Sequence, residues 1–194
     1  MLPYLDSGLV KVVTLAPEVK ENQWLIGACR ERGICVSAGH SDATYQEMQT
    51  AVQLGLSHVT HTFNGMRAFN QREPGVVGAA LELDDLSCEV IADEVHIHPA
   101  AIRLLLRAKP PDKVILVTDS IAGTGIPSGI VEFQGRKIRF SKREARLMDG
   151  TLGLVQQSVR SVGGMAVSSE SGPISEALHS ASGAMSTAVT AVAA

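Results

Sequence analysis

Several apolar runs in this chain end on a residue able to bind a proton or a metal ion. Glu18 lies just past the run at 11–17, His40 closes 34–39, and His61 closes 56–60. Asp93, with His96 close behind, follows 88–92, and Asp119 closes 114–118. In parallel α/β folds the reactive side chains sit at the C-terminal ends of strands, so these positions read as one rim. Neutral imidazole is a good donor to zinc, iron and similar divalent ions, and His40 and His61 on neighbouring strand ends can converge on one ion. Two histidines do not complete such a site, so a third protein ligand is expected. Asp119 has the chemistry of a general base that takes a proton from an activated water and passes it to a leaving amine. Plainer readings stand beside these. A strand-end histidine can be a hydrogen-bonded polar residue, and Asp119 can cap a following helix.

The remaining polar residues divide more simply. In His96-Ile97-His98-Pro99 the spacing of two suggests a metal pair on a strand, but Pro99 argues for a loop leading into a helix. His96 reads as a substrate contact and His98 as a surface residue. The loop at 64–75 carries Arg67 and Arg72, suited to bidentate phosphate recognition, and Gly65, where backbone N–H groups can approach an anion. His58 is an odd step from His61, so it is expected to face outward in a structural role. His179 is given no role. Cys29, Cys35 and Cys88 are an odd number without C-x-x-C spacing, which fits reduced, buried thiols in a cytoplasmic protein.

The elements that must hold this rim follow from periodicity. Apolar runs at 11–17, 34–40, 56–61, 88–93 and 114–119 predict strands. The last, nearly all apolar, reads as a parallel strand covered on both faces. Helices are expected over about 21–32, with Trp24, Leu25 and Ala28 inward, and after Ser41 as N-cap, with Tyr45, Met48, Ala51 and Val52 on one face. A third is expected from Pro99. Five βα units imply an α/β fold with a parallel sheet. Residues 132–140 alternate around Gly135 and predict an antiparallel hairpin. Part of the Ala-, Ser- and Gly-rich tail, 174–180, could be helix, and its end is weakly specified.

Composition narrows the function. With 194 residues, 45% of them hydrophobic, the chain can bury a core. A net charge of −3 gives no reason to expect nucleic acid or an anionic membrane as partner. No apolar run approaches the roughly 20 residues of a membrane span, and the first residues do not read as a secretory signal.

A set of short segments, each weak alone, resembles the C-terminal part of the N-acetylglucosamine-6-phosphate deacetylase family, within the amidohydrolase superfamily. They are Val13-Thr14-Leu15-Ala16-Pro17-Glu18, Val36-Ser37-Ala38-Gly39-His40-Ser41 and Thr60-His61-Thr62-Phe63-Asn64-Gly65-Met66. Arg72-Glu73-Pro74-Gly75, Ile91-Ala92-Asp93-Glu94-Val95-His96 and Leu116-Val117-Thr118-Asp119 follow in the family order. The resemblance implies that His40 and His61 hold a divalent metal, zinc first, with iron or another ion possible. It implies that Asp119 is the catalytic aspartate. Asn64, Gly65, Arg72, Asp93, Glu94, Val95, His96, Leu152 and Gly153 would bind the sugar phosphate, some of them across a homodimer interface. It further implies hydrolysis of N-acetylglucosamine 6-phosphate to glucosamine 6-phosphate and acetate.

The expected architecture is therefore part of a (β/α)8 TIM-type barrel over 1–129, a β-hairpin remnant of a small β domain over 130–150, and a helical tail over 151–194. Family enzymes are about twice as long, with eight βα units in the barrel. The glutamate that serves the family as metal ligand has no counterpart here, because Glu18 matches a different family position. An open sheet of this kind exposes an edge and side chains suited to a barrel interior, which predicts marginal stability, association through that edge, or a chain that is a fragment of a longer gene product.

Overall fold

The computed structural model describes residues 1–119, 128–133, 135–141, 145–150 and 190–192. Its centre is a parallel sheet built from β1 (Val12–Leu15), β2 (Cys35–Ala38), β3 (His58–Val59), β4 (Ser87–Val90) and β5 (Val114–Leu116). These strands are neighbours in chain order. A further strand, β9 (Thr190–Val192), pairs in parallel with β1 on the far edge. The weakly specified chain end thus supplies a sixth strand that periodicity did not predict.

Helices connect the strands. A short opening helix, α1 (Leu2–Leu5), seats Leu5 in the core, and Arg32 is fastened to Asp6 at 2.7 Å. A 3-10 turn over Lys20–Asn22 leads into α2 (Gln23–Glu31), which buries Leu25, Ile26 and Cys29. Trp24, expected inward, is 54% exposed because the buried stripe runs one position later. The next helix, α3 (Tyr45–Leu54), starts later than expected. Its N-cap is Thr44 rather than Ser41, in a capping box with Glu47 that satisfies two otherwise orphaned donors. Met48 and Ala51 are its buried face. Then come α4 (Gly75–Glu82) and α5 (Pro99–Ala108); exposed His98 caps α5 through Nδ1, which accepts from the Ala100 N–H at 3.1 Å.

One face of the sheet meets these helices. Val13, Leu15, Val36, Ala38, Val59, Cys88, Val90 and Val114 pack with Ile26, Cys29, Met48, Val76 and Leu105 in a single core. The alternate positions form a polar stripe on the other face. Across it, Thr14 Oγ1 lies 3.0 Å from Thr60 Oγ1, which lies 2.6 Å from Ser37 Oγ. His58 also belongs to this face, with Nδ1 2.9 Å from both Cys35 Sγ and Ser57 Oγ. It does not turn toward the helices, because the strand alternation counted back from His61 breaks where His61 leaves the strand. The face is thinly covered at β5, where Ile115 is 37% exposed, so β5 is not the fully covered strand its composition suggested.

A separate antiparallel sheet follows, with β6 (Gly129–Phe133), β7 (Arg136–Phe140) and β8 (Ala145–Leu147). The expected hairpin is its first two strands; the third was not foreseen. Ile138, Phe140 and Ala145 form its own small core. The possible helix at 174–180 lies outside the described residues. No helix among them is long and apolar enough to cross a membrane.

Candidate metal and proton-transfer site

The strand ends do gather the chemistry, through an unusual backbone. His40, His61 and Asp119 all have positive φ, at 49°, 33° and 48°. Left-handed backbone is uncommon for residues with a Cβ and persists only where surrounding contacts enforce it. Three such residues stand just past the ends of β2, β3 and β5, at one end of the sheet.

The histidine pair is the centre. His61 Nε2 lies 3.0 Å from His40 Nε2, with the rings edge to face at 4.6 Å between centroids. His61 is buried and His40 exposed. Burial, then the neighbouring His40 charge, pushes the His61 ring below the ordinary imidazole range, while Asp119 pulls the other way. His61 is thereby held neutral, the form that ligates a metal. His61 Nδ1 is buried without a hydrogen-bond partner. Two ring nitrogens each about 2.0–2.1 Å from one ion would stand roughly 3 Å apart, so the pair fits a divalent ion held through both Nε2 atoms. The fit stops at two ligands: among the described residues no group of three or more His, Cys, Asp or Glu side chains is placed to hold a metal ion.

Glu18 is engaged elsewhere. Its Oε2 accepts from the Ser41 hydroxyl and its Oε1 from the Asp42 N–H, each at 2.7 Å. Gly65 (φ 59°) comes close to His40, where a Cβ would lie 3.0 Å from Nδ1. Asn64 folds back on His61, its N–H and Nδ2 both donating to the His61 carbonyl at 2.9 and 3.3 Å.

Asp93, Val95 and His96 form a compact turn. Asp93 Oδ1 accepts from the Val95 and His96 N–H groups at 3.0 and 2.8 Å, and Oδ2 meets His96 Nδ1 at 2.7 Å. Burial pushes the Asp93 carboxyl up, but the His96 ring and the two N–H donors outweigh it and hold it below its usual range. Glu94, exposed at φ 62°, forms the tip of this turn. Of the two loop arginines, Arg67 is spent on a bidentate pair with Asp42 at 2.7 and 2.8 Å. Arg72 is exposed, with no side-chain hydrogen bond among the described residues. Leu152 and Gly153 lie outside the described residues.

Periodicity missed Glu89 on β4. Its carboxyl is pushed up by burial, held back by the His61 backbone N–H and raised further by Asp119, and its backbone carbonyl accepts from the Thr62 N–H at 2.7 Å, beside His61. The signal was present: a lone carboxylate in the apolar run Cys88-Glu89-Val90-Ile91.

The buried histidines give the fold a pH dependence. Burial holds His58 below its ordinary value, with Lys113 adding to the effect, and His61 is depressed as well. Above about pH 6.5 both are neutral in the folded and the unfolded chain, so nothing is lost. As pH falls below that value, the unfolded chain takes up protons that the folded chain resists. Stability is then lost, by at most about 2 kcal/mol per histidine at pH 5. The urea midpoint is expected to drop between pH 7.5 and pH 5.0; equal midpoints would contradict the neutral burial of these rings.

No protein-family model matches the chain. N-acetylglucosamine-6-phosphate deacetylase of Bacillus subtilis is 44% identical over 146 residues, 75% of this chain and 37% of the relative. The enzyme of the same name from Lysinibacillus sphaericus is 40% identical over 76% of this chain and 38% of its own length. A solved mutant of N-acetyl-D-glucosamine-6-phosphate deacetylase from Mycobacterium smegmatis, in complex with N-acetyl-D-glucosamine-6-phosphate, superposes with a TM-score of 0.85 at 31% identity. That match covers 92% of this chain and 48% of the solved one. The chain therefore spans well under half the length of these curated relatives and about half of the solved structure. Over the portion it spans, the chain is similar in sequence and in fold to the N-acetylglucosamine-6-phosphate deacetylases.

Proposed function

We propose that the chain acts in the hydrolytic deacetylation of N-acetylglucosamine 6-phosphate, giving glucosamine 6-phosphate and acetate. The observation that carries this reading is the 3.0 Å approach of His40 Nε2 and His61 Nε2 at neighbouring strand ends. Its support is Asp119 at the same end of the sheet, in the same left-handed backbone. The sheet is read as an arc of a (β/α)8 barrel, and the antiparallel sheet as the remnant of a small β domain.

A divalent ion, zinc first, held by His40 and His61, would supply Lewis acidity at the acetyl carbonyl and the attacking water. The protein groups do the rest. Asp119 accepts a proton from the water as its oxygen bonds to the acetyl carbon. It then delivers that proton to the amine nitrogen as the C–N bond breaks. Arg72, with its guanidinium exposed, and His96, fixed by Asp93, are assigned to the phosphate. Asn64, Gly65, Glu94 and Val95 are assigned to the sugar, together with Leu152 and Gly153. A homodimer in the cytoplasm is the proposed setting, and the three free cysteines fit it.

A second reading is favoured by one observation, that no third metal ligand accompanies the histidines among the described residues. On that reading the chain binds the sugar phosphate or a partner chain without turnover. Acetate release from N-acetylglucosamine 6-phosphate with added zinc, measured beside calorimetric binding of the same sugar, separates the two. Release with binding is expected. Binding without release selects the non-catalytic reading. Absence of binding, with release from another N-acyl sugar or a cyclic amide, would mean a different amidohydrolase reaction.

A further inference from the structure

We infer that Glu18 is a positioning residue that sets His40 in place without touching metal or substrate. The inference rests on the metal reading of the histidine pair. His40 is exposed, and its ring has no hydrogen bond among the described residues other than its contact with His61 Nε2. Histidines that hold a metal are ordinarily oriented by a partner on the second ring nitrogen. Here the ring direction must come from the backbone, which at φ 49° lies in a region uncommon for residues with a Cβ.

The next residue shows what enforces it. Ser41 is 2% exposed, and all its polar groups are engaged. Its N–H donates to the Gly65 carbonyl at 3.1 Å, its carbonyl accepts from the Arg67 N–H at 3.3 Å, and its hydroxyl oxygen accepts from the Ala43 N–H at 3.1 Å. The loop at 65–67 and the residues ahead of α3 grip it from two sides. Glu18 provides the third grip, the one that comes from β1. It takes the Ser41 hydroxyl on one oxygen and the Asp42 N–H on the other. One carboxylate bridging consecutive residues fixes the direction in which the chain leaves His40, and with it the aim of the ring at His61. With both oxygens occupied by donors and no metal-holding group around it, Glu18 is not a ligand.

The test uses the 194-residue chain and zinc itself. Glu18→Ala is expected to weaken zinc binding about 10- to 100-fold, measured by competition with a chelating dye. Glu18→Gln is expected to restore it to within about threefold, because its carbonyl still accepts from the Asp42 N–H and its amide can donate to the Ser41 oxygen. A purely structural residue would change melting without this rescue pattern. Unchanged zinc affinity in Glu18→Ala, with a normal melt, overturns the inference. If Glu18→Ala does not fold, Ser41→Ala removes one arm of the grip and must itself weaken zinc binding, or the inference fails. If the unaltered chain binds no zinc, the metal reading fails first, and Glu18 is judged on ring signals alone. His61→Ala should then shift the His40 ring resonances in the parent and in Glu18→Gln, but not in Glu18→Ala. Loss of that shift only in Glu18→Ala sustains the inference, and its survival in Glu18→Ala overturns it.

Discussion

Asp119→Asn is expected to cut acetate release from N-acetylglucosamine 6-phosphate by about a thousandfold, within the 10²–10⁴ range of general acid–base catalysis. Zinc binding to His40 and His61 should be almost unaffected. The substitution is unusually clean. Asp119 sits at φ 48°, and asparagine is among the few residues that tolerate left-handed backbone. The amide keeps the shape and loses only the capacity to take a proton from water and return it to the amine. A parallel fall in zinc affinity would make Asp119 a ligand rather than a base. Acetate release equal to that of the parent would remove Asp119 from the mechanism.

Gly39→Ala is expected to cost about 1–3 kcal/mol of stability, with loss of zinc binding as well. A Cβ at residue 39 would lie 2.6 Å from Thr14 Cγ2 and 2.9 Å from Thr60 Cβ. Neither neighbour can step aside easily. Both are β-branched and stiff at χ1, and their hydroxyls are bonded to each other at 3.0 Å. Relief requires breaking that chain of hydroxyls or moving β2 away from its neighbours. Either movement shifts the end of β2, where His40 begins its turn. A urea titration reads the first effect and zinc competition the second. A melting temperature within about a degree of the parent, where 1 kcal/mol is several degrees for a domain of this size, would show that the strands yield without cost.

The rim was legible because strand ends in parallel α/β folds follow a local rule. An apolar run closed by a polar residue occurs at His40, His61 and Asp119, and the structure places all three at the same end of one sheet. Local rules also explain the errors. Ser41 has the chemistry of a cap but is buried under Glu18, while Thr44 with Glu47 carries the full capping signature three residues later. Trp24 fitted a helical face by spacing, yet the core lies toward Leu25, Ile26 and Cys29. His58 was misplaced because period-two counting does not survive the left-handed turn at His61. The grip of Glu18 on residues 23 and 24 positions away, and the proximity of Glu89 to His61, depend on which strands lie side by side. No window of local sequence contains that information. The short strands β8 and β9, of three residues each, carry too little pattern to announce themselves.

The order of the strands has a consequence for how the protein is made. From β1 to β5 each strand lies beside the one synthesised just before it. A chain leaving the ribosome can therefore add one βα unit after another to a growing edge, without waiting for distant partners. At about 5–20 residues per second, the stretch from β1 to β5 takes roughly 5–20 seconds to emerge. During that time the newest strand has one unpaired edge, and so does β1, whose outer partner β9 is synthesised only after β5. The histidine pair can assemble once the loop after β3 has appeared, well before β5 exists. Asp119, just past the end of β5, arrives last, so the histidine pair is seated before this carboxylate has been synthesised.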